Sequence, residues 1–139
     1  MSQEPHYHGI EMLPTFTYMI DGELKAAQEQ LPNLEAVRSK PWVLDDFTVN
    51  RVISVFTEQH DHLPLFDEQL RRWLLLTLTE AQQREIERLQ GQMVKLHEVI
   101  DAILALANEL KQGTIEKQLA KSDAELGMEA LFKRWRMPK

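Results

Sequence analysis

Cysteine is absent from all 139 residues. That excludes a disulfide scaffold, a thiolate zinc finger and a thiol nucleophile, and it fits a reducing cytoplasm. Glycine and proline are scarce, at five and six residues, so helical stretches can run long without interruption. No segment reaches 18 uncharged apolar residues, and the N-terminus lacks the basic-then-apolar pattern of a secretory signal; a soluble cytoplasmic protein with no membrane span is expected. Positive charge is the minority sign. Sixteen Lys and Arg stand against 22 Asp and Glu, and the net charge of −6 argues against a general nucleic-acid binder.

The familiar reaction motifs are missing as well. There is no G-x-x-x-x-G-K-S/T or G-x-G-x-x-G to cradle phosphate, and no G-x-S-x-G nucleophile turn. The one His-Glu pair, His97 and Glu98, is followed by Asp101 where a zinc protease helix needs a second histidine. The carboxylates Glu85, Glu87, Glu98 and Asp101 are spread around their helix, and Glu85 and Glu87 alternate with Arg84 and Arg88 as surface charge does.

What is present is heptad order. With 43% apolar and 27% charged residues the chain reads as one globular domain, 1–139. Val49, Phe56, Leu63 and Leu70 fall seven apart, as do Val52, Gln59, Phe66 and Trp73, and the two rows occupy the a and d positions of one helix, 46–76. Asp45 or Asp46 supplies its N-cap. Thr79 and Gln82 form a capping box for a second helix, 80–112, with Ile86, Met93, Ile100 and Ala107 in one row and Leu89, Leu96, Ile103 and Leu110 in the other. Gly113 is its natural C-cap.

A short connection between two helices of near-equal length makes an antiparallel hairpin. If its turn centres on Thr77 and Leu78, facing residues carry numbers summing to about 155–157, which sets Phe66 on Leu89 and Phe56 on Ile100. The expected fold is therefore all-α: a long hairpin packed, bundle-like, by shorter helices from both termini. The N-terminal contribution is a region of about 17–39 that Pro32 divides in two. The C-terminal one follows a capping box of Ser122 and Glu125. Residues 1–13 show no periodicity and read as a flexible lead-in, in which His6 and His8 make a weak metal pair at most.

Three features are candidates for function. The stretch Glu58, His60, Asp61, His62 is mainly a solvated helix face, but Pro64 should bend the helix and free the His60 carbonyl. The register then sets His60 near His97, with Asp101 one turn further, a conceivable ligand set for a divalent metal. The hairpin tip, Trp73, Leu74, Leu75 and Leu76, is apolar in several directions and is a candidate oligomer or partner contact. The tail 133–139, with Lys133, Arg134 and Arg136 around Trp135, either anchors a last helix or touches an anionic surface or nucleic acid. The expected role is that of a non-enzymatic helical adaptor or assembly protein that binds an unidentified protein partner, as a homo-oligomer. A metal-dependent enzyme or metal- or pH-responsive protein is the alternative, and weak nucleic-acid contact through the tail a third. No resident cofactor is expected beyond that metal.

Overall fold

A computed structural model describes residues 6–121, together with 127, 128 and 131. The regular elements among them are all helical. Three long helices, α1 (Leu13–Ala36), α2 (Asp46–Leu74) and α3 (Glu80–Leu110), are joined by two short links, and a helix resumes at 115–121. The fold is an all-α bundle, as the periodicity requires.

The helix starts are fixed by the expected caps. The Asp45 carboxylate accepts a 2.7 Å hydrogen bond from the Thr48 N–H at the head of α2. Thr79 and Gln82 satisfy each other's backbone N–H groups at the head of α3. Such caps remove orphan donors that would otherwise destabilise each helix by about 1 kcal/mol.

α1 covers the hairpin. It packs along α3, as α2 does. Thr17 donates to Glu85 at 2.8 Å, Arg88 pairs with Asp21 at 2.8 Å, and Arg38 pairs with Glu109 at 3.2 Å. Numbers rise together on the two helices, so α1 runs parallel to α3 and antiparallel to α2. Its buried face, Leu13, Phe16, Ile20, Leu24, Ala27 and Leu34, joins Leu63, Leu70, Leu89, Met93, Leu96 and Ile100 in one core. Phe16 sets its ring edge-on to Phe66 and to Trp73, at 5.7 and 5.0 Å between centroids.

Several expectations are corrected. Pro32 does not divide α1, because the carbonyl it leaves without a donor belongs to Gln28; both residues are exposed, so water can take the place of the lost bond. Pro64, by contrast, is expected only to bend its helix, and it lies inside α2 on an exposed position. Residues 6–13 are not a loose lead-in. The His8 carbonyl accepts from the Trp73 indole at 2.9 Å and from Gln69 at 3.2 Å, and the His8 N–H donates to Gln69 at 2.7 Å. Beyond them a 3-10 turn, Ile10–Met12, leads into a buried Leu13.

The hairpin register is displaced. Ile115 N–H donates to the Leu44 carbonyl at 2.9 Å and the Thr114 hydroxyl to Asp46 at 2.6 Å, and the His97 imidazole lies 2.7 Å from Asp67. These cross-hairpin numbers sum to 159–164, a slide of about one turn. α2 stops at Leu74, two residues early, and Leu75–Thr79 cross the end of the bundle. The side chains also pack around a core shared with α1, which a two-helix ladder ignores.

Gly113 is not a left-handed cap. α3 tightens into a 3-10 turn, Lys111–Gly113, and no described glycine has positive φ. A Cβ at Gly113 would lie 2.5 Å from Cγ of Pro41, so close approach of the α1–α2 link explains the glycine. The proposed cap Ser122–Glu125 and the tail 133–139 lie outside the described residues.

Candidate functional site

His60 and His97 both sit on the flank of α2 and α3, but they do not share a site. With α3 slid by a turn, each imidazole meets a carboxylate of the opposite helix instead. His97 Nε2 lies 2.7 Å from Asp67 Oδ2, hydrogen-bond distance, and donates to the carboxylate when Nε2 carries the proton. His60 Nε2 stands 3.7 Å from Asp101 Oδ1, too far for a hydrogen bond and attractive only when the ring is protonated. Its Nδ1 is 3.5 Å from the neighbouring Asp61. Asp101 therefore belongs with His60, and the expected triad of His60, His97 and Asp101 separates into two pairs. Among the described residues no three His, Asp or Glu side chains come close enough to hold a metal ion.

The hairpin tip divides too. Trp73 is 1% exposed and part of the core, so it is no surface contact; its indole N–H is spent on His8. Leu74 is half-buried against the same core. Leu75 and Leu76 point outward, at 74% and 49% exposure. The basic-tail residues Lys133, Arg134, Trp135 and Arg136 lie outside the described residues.

Sequence reasoning missed two polar groups. One is Gln69, 2% exposed, which closes a reciprocal pair of hydrogen bonds with the His8 backbone. Its signal is weak: a glutamine beside the core position Leu70, with no charge of its own. The other is Arg88, read as surface patterning. It bridges Glu85 at 2.6 Å to Asp21 of α1 at 2.8 Å, while Gln92 also donates to Asp21 at 3.1 Å. Hydrogen bonds from Arg88 hold both carboxyls below their ordinary pKa, and the same bonds raise that of the guanidinium. Glu23 is moved the other way, upward, by burial between the helices, with the charge of His62 offsetting part of the effect. On α2, Glu68 is forked by Arg71 and Arg72, which draw its pKa down to about 2, while Arg72 lies 3.9 Å over the Tyr7 ring.

No family model, curated protein or solved structure matches this chain. No described helix is long and apolar enough to cross a membrane.

Proposed function

We propose that this protein is a non-enzymatic helical adaptor or assembly protein of the cytoplasm, acting as a homo-oligomer that presents its helices to a protein partner. The observation that supports this reading is the exposed pair Leu75 and Leu76 at the hairpin tip. A single exposed leucine is ordinary, but two in sequence at the end of a rigid hairpin, beside the half-buried Leu74 and Leu78, form a contiguous apolar cap. Two such caps meeting about a two-fold axis would each cover the other, the commonest geometry of homodimers. Light scattering of the full chain at micromolar concentration tests it. A dimer or larger species is expected, and Leu75→Ser with Leu76→Ser should shift it to monomer while leaving the helical circular dichroism unchanged. A monomeric wild type would remove the oligomer from this reading.

The second reading, a metal-dependent or pH-responsive protein with its site near His60, His97 and Asp101, draws support from the cross-helix contacts of both imidazoles with carboxylates. Its support is geometric: both contacts join α2 to α3, His97 with Asp67 at 2.7 Å and His60 with Asp101 at 3.7 Å. The metal form is tested by zinc titration of a chain carrying His6→Ala and His8→Ala, with and without His97→Ala. Equal affinity in the two excludes His97 as a ligand.

A further inference from the structure

At the end of the bundle away from the hairpin tip, the three helices and the α1–α2 link form a partly open pocket of about 130 Å³. Leu34 of α1, Val37 and Leu44 of the α1–α2 link, Val49 and Val52 of α2, and Ala107 and Leu110 of α3 form its wall. Gln30, Asn33 and Thr48 supply its polar rim; the Thr48 side chain is already engaged by the Asp45 carboxylate, whereas the Gln30 and Asn33 amides make no hydrogen bond to another described side chain. A water needs about two to four polar partners, and the hydrocarbon wall supplies none, so the interior is poorly hydrated. The volume is well below the roughly 300–1,000 Å³ of sites for drug-sized ligands and cofactors, but close to the about 150 Å³ that accommodates benzene in an engineered apolar cavity. No cation lines the pocket, and the chain carries a net charge of −6, so nothing there favours an anion.

We propose that this pocket is a binding site for a small uncharged molecule with a benzene-sized apolar body and one hydrogen-bonding tip. The body fills the space among Val49, Val52, Ala107 and Leu110, and the tip reaches the amides of Gln30 and Asn33. The proposal is independent of the adaptor reading, since it needs neither a partner nor an oligomer.

The test is a titration of the full chain with p-cresol and with toluene, read by nuclear magnetic resonance at the methyl groups of Val49, Val52 and Leu110. Saturable shifts are expected, with Kd from about 0.1 mM to a few mM for ligands of this size, and p-cresol should bind several-fold more tightly than toluene. Ala107→Leu, which fills the wall from inside, should weaken binding by more than tenfold. If that variant is not folded by circular dichroism, Val52→Phe, at a half-buried position, serves the same purpose. No saturable shift up to the solubility limit, or equal affinity in a folded filled variant, overturns the site. Toluene binding as tightly as p-cresol overturns the role of the polar rim.

Discussion

Trp73 shows how far one residue can be read. Its heptad position marks it as core, and its place in the apolar hairpin tip marks it as an interface candidate. The first is right, because the indole N–H finds a backbone partner in His8 and can be buried without penalty. Ile100, fully buried, is simpler: Ile100→Ala should destabilise the protein by about 2–5 kcal/mol in urea unfolding, since it removes most of a buried side chain. The charged residues carry a pH signature. Asp21 and Glu85 have folded pKa values lowered, first of all by the hydrogen bonds from Arg88. A lowered folded value means stability that is complete above the unfolded carboxylate range and is lost as pH falls through the folded one. Arg88→Met should therefore be less stable than wild type near neutrality, by about 1 kcal/mol for such partly exposed pairs, and the gap should close below about pH 4. Glu23 has the opposite sign. Its folded value is raised by burial, so its ionised form opposes folding, and Glu23→Gln should raise stability at pH 7 but not in acid. Urea unfolding of each variant at pH 7 and pH 3 reads both effects.

At the scale of elements, α2 and α3 were legible because apolar residues repeat over four heptads and both starts carry caps whose chemistry is local. α1 was legible only in part. Its apolar spacing is right, but Pro32 suggests a break, and whether a proline breaks a helix depends on what surrounds the freed carbonyl. On an exposed face water can satisfy it, so Pro32→Ala should lengthen nothing and add stability, by up to about 3 kcal/mol in a thermal unfolding measurement. The register was not legible, because side chains that pack around three helices do not obey a two-helix ladder, and an error of one turn is enough to exchange the partner of His97 from His60 to Asp67. The candidate site fell with it: the residue types were right, but their meeting depended on a shift of a few ångströms. Gly113 teaches the same lesson. It marks the end of α3 in sequence, yet the reason for it is the ring of Pro41, seventy-two positions earlier. Gly113→Ala should force that ring away and reduce stability by roughly 1–3 kcal/mol, which urea unfolding would show; an unchanged midpoint would mean the α1–α2 link yields freely.

For the whole molecule, the question is what joins the hairpin to the rest of the chain. At the open end the link before α2 and the residues after α3 are tied together, by Ile115 on Leu44, Thr114 on Asp46 and Glu116 on the Asp46 N–H at 2.7 Å. At the tip end the tie is the segment before α1, where His8 meets Gln69 and Trp73 while Tyr7 lies under Arg72. Both ends of α2 are thus held by chain that lies outside the hairpin, which is why a segment without periodicity can matter to stability. A chain shortened to begin at Met12 would strip the partners from an indole N–H and a glutamine amide that are otherwise almost completely buried. Each orphaned group costs about 1–3 kcal/mol until water reaches it, so a loss of roughly 2–4 kcal/mol is expected for the shortened chain. Tyr7→Ala alone removes only the exposed cation–π contact and should cost about 0.5–1 kcal/mol. Thermal unfolding of the two variants beside the full chain separates the contributions. A shortened chain with the Tm of the full one would mean that His8 does not anchor the tip. The bundle's cohesion would then rest on α1 packing along α3 alone, with Trp73 held by Phe16 and not by the backbone before it.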